Sequence, residues 1–350
     1  MTEPLLARDR AWCRHALQRV SRTFALNIRI LADPFREVVE TGYLLCRAAD
    51  ALEDSWPGSA SAVRERFSLL LAVLRDEGGA AEALAAGTHA APAETEDLEV
   101  VANLPRVRRV WRALPESDRA ILAEGVSTLA AGMCRYASRA AERPPDLPYL
   151  DTEAELHDYC WVVAGCVGVM LTRLFTARER ARHAADAGAA HTAIVQRRLE
   201  RAPAVGEALQ LTNILLDWPV DVRRGRCYLP GAWLAEHGLA PHDLVGSPRP
   251  GTTALAQRLE GLARAALSRV PDYLETIPPR ALRYRLFTLW PALWALASLE
   301  HARSDPAFPW GERRPRVTRT RLGREALRGL VAHRGAALNA LRAAATPAAP

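Results

Sequence analysis

Helical periodicity runs through nearly every long segment of the 350-residue chain and constrains its fold more than any other feature. Alanine, leucine and arginine dominate, whereas the alternating β-branched runs typical of strands are scarce. The sequence therefore predicts an all-α fold. No repeat of 20 to 50 residues and no midpoint linker is apparent. We expect one helical domain over residues 1–340 and a flexible tail over residues 341–350.

The clearest predicted helix runs from Phe35 to Asp54. Pro34 predicts its start, because proline is favoured at the first positions of a helix. The turn-forming residues after Asp54 predict its end. Further helical patterns cover residues 98–139, 152–182 and 191–223, and connections are predicted at residues 77–97 and 238–253.

Arginine is the basic residue throughout, because no lysine occurs among the 46 basic side chains. P-loop and Schiff-base chemistry each require a lysine, so both classes are excluded. The formal charge of +6 suits an anionic substrate, an anionic membrane or nucleic acid, although solvated arginine faces are the ordinary explanation. We expect no nucleic-acid partner.

The six cysteines contain no C-x-x-C pair and mostly have apolar neighbours, which indicates reduced core thiols in a cytosolic protein. The apolar stretches 161–175 and 286–299 are shorter than the ~20 residues that span a bilayer. We therefore predict a cytoplasmic protein without a transmembrane helix. In the arginine-rich stretch 313–328 a solvated face is favoured over contact with anionic lipid, which leaves peripheral membrane association as an open alternative.

A group of carboxylates ends the predicted helix. Positions i, i+3 and i+4 share one helix face, so Asp50, Glu53 and Asp54 are expected to project together. Their repulsion at the negative helix end is unfavourable, and a divalent cation would relieve it. Magnesium uses one or two carboxylates beside waters and phosphates. A solvated helix end is the alternative explanation.

A polar stripe marks an otherwise apolar helix further along the chain. At about 100° per residue, Gln210, Asp217 and Asp221 fall within about 40° of one another, and Asn213 is adjacent. Polar groups on a core-facing side need a partner or a ligand. If this helix faces the helix that carries Asp50, aspartates on opposite walls of one cavity would hold a magnesium cluster between them.

Four segments resemble the squalene/phytoene synthase family in their order and spacing. They are residues 21–24, 43–54, 159–175 and 210–230. The resemblance implies a single-domain isoprenoid synthase helical bundle with a central cavity, in which two allylic diphosphates are joined head to head. The pair Glu53-Asp54 looks more like squalene synthases, whereas residues 224–230 look more like phytoene synthases.

The resemblance also implies roles for individual residues. Tyr159 would relay a proton, and Arg22, Arg47 and Arg226 match positions that grip diphosphates, for which guanidinium forks are well suited. The other implied substrate-binding residues are Ser21, Phe24, Tyr43, Gln210 and Asn213. The implied magnesium ligands are Asp50, Glu53, Asp54, Asp217 and Asp221.

Three residues depart from the family pattern. Leu216 stands where an arginine is common, and Val220 stands where an acidic residue is usual. Pro219 removes a helical hydrogen bond and is expected to kink the helix before Asp221. Any NADPH site would have to use arginine, because the chain has no lysine.

The implied function is magnesium-dependent condensation of two farnesyl diphosphates through presqualene diphosphate to squalene, with NADPH as reductant. A phytoene or dehydrosqualene synthase, which performs no reduction, is the first alternative. A terpene cyclase is disfavoured because cyclases lack the Tyr159 segment. A non-catalytic scaffold relative is disfavoured because such relatives typically lose the metal-binding aspartates.

Overall fold

The regular structure of the chain is helical, as the sequence predicts. The computed structural model describes residues 2–91, 95–144, 146–182 and 189–345, and within these ranges no strand occurs. The all-α prediction is confirmed. The α-helices are α1 (Glu3–Val20), α2 (Arg22–Ile28), α3 (Phe35–Asp54), α4 (Ala60–Leu74), α5 (Ala80–Gly87), α6 (Glu96–Ala102), α7 (Leu104–Arg112), α8 (Glu116–Glu142), α9 (Glu153–Cys160), α10 (Cys166–Arg182), α11 (Ala189–Arg201), α12 (Pro203–Asp221), α13 (Gly231–Glu236), α14 (Pro250–Glu275), α15 (Leu282–Arg303), α16 (Arg319–Ala332) and α17 (Ala336–Arg342).

The helices group into two compact units. One is drawn from Met1–Glu142 and Val169–Arg182, and the other from Arg143–Gly168 and His183–Pro350. The extent of a single domain over residues 1–340 stays a prediction.

In the first unit, α3 is surrounded by α1, α4, α6, α7 and α8. Its small and branched residues Leu44, Ala48 and Ala49 are fully buried. Removing a leucine side chain of this size from water contributes about 2 kcal/mol. Most polar residues of α3 lie on the remaining face and at the C-terminal end, whereas Glu40, Thr41 and Glu53 are buried.

In the second unit, α12 packs against α14, α15 and a π-helical turn at Trp161–Gly165. The approach to this turn is very close, since a Cβ atom added to Gly206 of α12 would lie 2.1 Å from the carbonyl oxygen of Ala164. Gly168 is similar, because its added Cβ would lie 2.4 Å from the oxygen of Ala202. Glycine at these positions lets two helical backbones touch.

Helix boundaries differ from prediction in four places. The predicted helical stretch 98–139 is three helices, α6, α7 and α8, with breaks at residue 103 and residues 113–115. The predicted connection 77–97 contains α5, whose Ala81 and Leu84 are buried, so its alanines form a packed helix. The predicted helix 191–223 is two helices, α11 and α12, and the predicted connection 238–253 includes the start of α14. Alanine-rich segments carry little information about where helices end, because tertiary packing decides it.

Part of the predicted tail lies outside the described residues, which end at residue 345. Before that point Leu341 and Ala344 are buried, and the turn at Ala343–Ala345 packs against α14. The flexible segment expected over residues 341–350 therefore does not begin at Leu341.

One continuous helical stretch, Glu153–Arg180, is long and apolar enough by length and composition to cross a membrane. Its 28 residues exceed the apolar stretch 161–175, because the helix extends beyond it at both ends. In its most apolar window 44% of residues are buried inside the protein, and core helices of soluble proteins pass the same test. The absence of a transmembrane helix and the cytoplasmic location stay predictions.

Candidate active site

The first acidic motif occupies the last turn of α3. Asp50 is half-buried and Asp54 is exposed, whereas Glu53 is buried. The three carboxylates are thus not equally available to a ligand, although they follow the i, i+3, i+4 spacing. Asp50 and Asp54 lie near enough for the charge of Asp54 to act on Asp50.

Arg47 joins this motif to a residue that the sequence analysis did not identify. Its Nε and Nη2 atoms donate hydrogen bonds to the two carboxylate oxygens of Asp97, at 2.9 and 2.7 Å, and Nη1 donates to Asp50 at 3.3 Å. The bidentate geometry fixes the plane of the guanidinium. Asp97 lies in α6, 50 positions along the chain, within a stretch predicted as a connection.

Two titrating groups of this region have raised pKa values. Burial raises the pKa of Asp50 to about 6; Arg47 opposes the rise and the charge of Asp54 adds to it. Burial also raises the pKa of Tyr43 to about 12, against a hydrogen bond from Ser21 that lowers it. Tyr43 is therefore a neutral hydrogen-bonding group at neutral pH.

The predicted substrate-binding segment 21–24 forms the start of α2. Ser21 is the N-cap, and its Oγ accepts a hydrogen bond from the amide of Phe24 at 3.3 Å. The ring of Phe24 is partly exposed and lies 5.7 Å from that of Tyr43, so the structure brings these residues together. Arg22 is exposed.

The second acidic motif lies along the last turns of α12. Its polar residues are all half-buried: Gln210, Asn213, Asp217 and Asp221. Arg314 binds this stripe, since its Nη1 donates to both carboxylate oxygens of Asp217 at 2.7 Å and its Nη2 donates to Asn213 at 3.3 Å. The solvated face predicted for residues 313–328 is therefore wrong for Arg314, which is bound to the acidic motif instead.

A second arginine, Arg223, connects the end of α12 to the irregular segment 305–318 through hydrogen bonds. Arg223 donates hydrogen bonds to the carbonyl oxygens of Pro219 at 2.6 Å and Trp310 at 2.9 Å, and also to that of Gly311. The amide of Gly246 donates to Trp310 as well, at 2.9 Å. These hydrogen bonds hold residues 310 and 311 in place, and the segment that follows them positions Arg314 beside Asp217.

The departures in the second motif have defined places in the structure. Leu216 and Trp218 are buried core residues, and the indole of Trp218 donates to the carbonyl of Leu244 at 3.0 Å. Helix α12 continues through Pro219 to Asp221. The helix thus runs through the proline to the second aspartate, and the kink expected at Pro219 stays a prediction.

Arg226 follows the motif in a tight turn. Gly225 has φ +76°, a left-handed conformation that suits glycine, and the amide of Arg226 donates to the carbonyl of Asp221 at 2.8 Å. The turn brings the backbone of Arg226 into hydrogen-bonding contact with the backbone of Asp221.

Tyr159 lies in a group of three buried tyrosines. Its ring stacks on Tyr228 at 5.2 Å between centroids and meets Tyr149 edge-on at 6.5 Å, and Tyr149 and Tyr228 are 4.9 Å apart. The π-helical turn begins two residues after Tyr159, and such turns are frequent at functional sites. Tyr149 was not predicted from the sequence, and Tyr228 was given no role although it lies in the matched segment 210–230.

The aspartate pairs fit magnesium by the chemistry of their donors. Each motif offers two carboxylates one helical turn apart, and magnesium uses one or two carboxylates beside waters and phosphate oxygens. Among the described residues, no three histidine, cysteine, aspartate or glutamate side chains converge on one point. A complete set of protein ligands is thus not assembled within either motif, and the roles of Glu53 and the four aspartates as magnesium ligands stay predictions.

The helical fold, the two aspartate motifs and the arginines bound to them define a class of isoprenoid-joining enzymes. The chain matches the family model for squalene/phytoene synthases over residues 17–321 and belongs to that family, whose members are prenyltransferase-type enzymes. The resemblance inferred from the four sequence segments is confirmed.

Both branches of the family occur among the relatives. The phytoene synthase of Thermus thermophilus is 43% identical over 117 residues, which cover 33% of this chain and 35% of that protein. The squalene synthase of Homo sapiens is 27% identical over 275 residues, which cover 78% of this chain and 58% of that protein. The matched parts thus span less than two thirds of either relative's length.

Solved structures show the same fold. A ligand complex of TcSQS superposes with a TM-score of 0.70 at 22% identity, covering 96% of this chain and 97% of that chain. A dehydrosqualene synthase in complex with a ligand has a TM-score of 0.61 at 19% identity, covering 97% and 96%.

Proposed function

We propose that the chain condenses two farnesyl diphosphates head to head, with magnesium, through presqualene diphosphate to squalene. The first step releases one diphosphate and one proton, and hydride from NADPH replaces the second diphosphate. The observation that supports this most directly is the guanidinium at each aspartate motif, Arg47 at Asp50 and Arg314 at Asp217, in a member of this family. Paired carboxylates are suited to a magnesium ion, and a guanidinium is suited to phosphate oxygens.

The aspartates would hold magnesium, Asp50 with Asp54 at one motif and Asp217 with Asp221 at the other. Bound magnesium would neutralise the charge that develops on the departing diphosphate. The arginines would bind phosphate oxygens through their planar forks, which fixes the orientation of the leaving group. The hydrogen bonds from Arg47 to Asp97 already fix the plane of the Arg47 guanidinium before a phosphate binds.

Tyr159 would accept the proton lost when the cyclopropane ring forms and pass it to a diphosphate oxygen. Its hydroxyl lies on a ring that is 4% exposed and packed between Tyr149 and Tyr228. Aromatic packing of this kind excludes water from a cationic intermediate. It also fixes the direction of the phenol.

The proposal is tested by incubating purified protein with magnesium and farnesyl diphosphate, with and without NADPH, and identifying products by mass spectrometry. Squalene that appears only with NADPH supports it. Asp54→Asn and Tyr159→Phe should each reduce the rate at least about a hundredfold. Tyr284→Phe is the matched control, because Tyr284 is buried and bonded to Tyr273 at 2.9 Å outside both motifs. A cyclic product, or no product, would sink the proposal.

A phytoene or dehydrosqualene synthase is the second candidate. The phytoene synthase that is 43% identical over 117 residues supports it, although that match covers 33% of the chain and the squalene synthase match covers 78%. The same assay separates the two candidates, because an unreduced product that is independent of NADPH supports the second. Parallel reactions with geranylgeranyl diphosphate determine the tail length. A non-catalytic scaffold relative would convert neither diphosphate.

A further inference from the structure

Helix α16 has a clearly defined inner face. Gly329 is buried, and a Cβ atom added there would lie 3.0 Å from the indole ring of Trp290 on α15. The neighbouring Trp294 donates its indole N–H to the carbonyl of Leu322 at 3.0 Å. These contacts fix the rotation of α16 about its axis, so the opposite face points away from the core.

That opposite face carries the most exposed aliphatic side chains in the described residues. Val331 is 78% exposed and Leu327 is 61% exposed, and Leu330 beside them is 45% exposed. On a helix, Leu327 and Val331 lie about 40° apart and each about 160° from Gly329. They form an apolar ridge along the outermost line of α16.

Guanidinium groups border this ridge. Residues 319–334 contain five arginines and one acidic residue, Glu325. Two of these arginines are ion-paired, Arg321 with Glu300 and Arg328 with Glu325. Arg324 lies about 20° from Val331 around the helix, and Arg328 lies on the same side. Arg319 and Arg324 have no ion pair among the residues that the structure describes, so their charge is available to a partner. An apolar ridge bordered by uncompensated positive charge is the pattern of a helix that lies in a membrane interface.

We propose that α16 docks the protein on the surface of an anionic lipid bilayer, with the Leu327–Val331 ridge among the acyl chains and the arginines at the headgroups. A second copy of the chain fits this face poorly. Fourteen residues make a helix ~21 Å long and ~10 Å wide, so the face offers ~200 Å², well below the ~800 Å² per partner of a stable protein interface. A bilayer has no such area requirement, and its negative surface potential complements the arginines.

The test is co-sedimentation of the full chain with phosphatidylcholine vesicles, with and without phosphatidylglycerol. We expect binding to the anionic vesicles only, and a loss of binding as salt rises from about 0.1 M to 1 M, because the Debye length falls from ~10 to ~3 Å. The double variant Leu327→Ser, Val331→Ser should lower the partition coefficient about tenfold or more. Arg324→Gln with Arg328→Gln should lower it about tenfold.

Two matched controls remove similar groups elsewhere. Ile194→Ser alters an aliphatic side chain that is 44% exposed on α11, and Arg280→Gln removes an exposed charge from the turn before α15. Both should bind vesicles as the parent does. Binding that is equal in the α16 variants and the parent, or that is independent of lipid charge, overturns the proposal. So does a dimer in light scattering that the serine variant dissociates, because the ridge would then be an interface between copies. None of these measurements uses the substrate, so they stand apart from the proposed condensation.

Discussion

Arg314 contacts both carboxylate oxygens of Asp217 through a single nitrogen, at 2.7 Å each, across 97 positions of sequence. Its other nitrogen reaches Asn213. The guanidinium thus neutralises the aspartate that the family resemblance assigns to magnesium. A cation that approaches Asp217 therefore has to compete with Arg314 or displace it.

Arg314→Gln should therefore raise the affinity for magnesium in the absence of substrate. The Arg314–Asp217 ion pair is partly exposed, so we expect its loss to change the binding free energy of magnesium by ~1 kcal/mol, which is about fivefold in affinity. Isothermal titration calorimetry, or electron paramagnetic resonance with manganese as the probe, measures this affinity. Arg321→Gln is the matched control, because it breaks a comparably exposed pair with Glu300 on α15. An affinity that is the same in all three proteins would show that the arginine and the metal occupy different positions.

Asp97 should act as a positioning residue for Arg47. Asp97→Asn removes the charge that holds the guanidinium plane, so we expect kcat/KM for farnesyl diphosphate to fall about tenfold, mainly through KM. Steady-state kinetics measure this split. Asp76→Asn, which breaks contacts with Arg108 and Arg112 at 2.8 and 3.3 Å, is the control for a general loss of ion pairing. A KM that moves equally in both variants would contradict the positioning role.

Features that depend on local sequence were predictable from the chain. Helix α3 begins at Phe35 and ends at Asp54 as predicted, because proline at its start and the turn residues after Asp54 act within a few positions. The two aspartate motifs were found in the same way, since i, i+4 spacing is a property of one helix. The family resemblance supplied Tyr159.

The partners of these residues were not predictable. Asp97 meets Arg47 across 50 positions and Arg314 meets Asp217 across 97, and no periodicity links residues that far apart. Asp97 lies in an alanine-rich segment and Arg314 in an arginine-rich one, and neither composition indicates a partner. Tertiary packing alone brings them to the motifs, so pattern analysis assigned each to solvent or to a connection.

Gly206 should be among the least replaceable residues of the second unit. In Gly206→Ala the new methyl group would lie 2.1 Å from the Ala164 oxygen, so the backbones of α12 and the π-helical turn must separate. We expect the melting temperature to fall by several degrees, consistent with the 1–3 kcal/mol or more that overpacking costs. Gly261→Ala in α14 is the control, since nothing lies within 4 Å of its added Cβ. That variant should melt slightly higher, because alanine is favoured over glycine in a helix by about 0.5–1 kcal/mol.

The six cysteines should differ sharply in reactivity. Burial raises the pKa of Cys13, Cys166 and Cys227 to about 12, and raises that of Cys160 as well. Only the thiolate reacts with an alkylating reagent, and at pH 8 a thiol of pKa 12 is ionised to about one part in ten thousand. Iodoacetamide should therefore modify the two half-buried cysteines, Cys46 and Cys134, in the native protein, and all six after denaturation. Peptide mass spectrometry measures the rates, which for the buried thiols should rise about tenfold per pH unit without levelling off below pH 12. Rapid native labelling of Cys160 at pH 8 would mean that the turn beside Tyr159 opens to solvent.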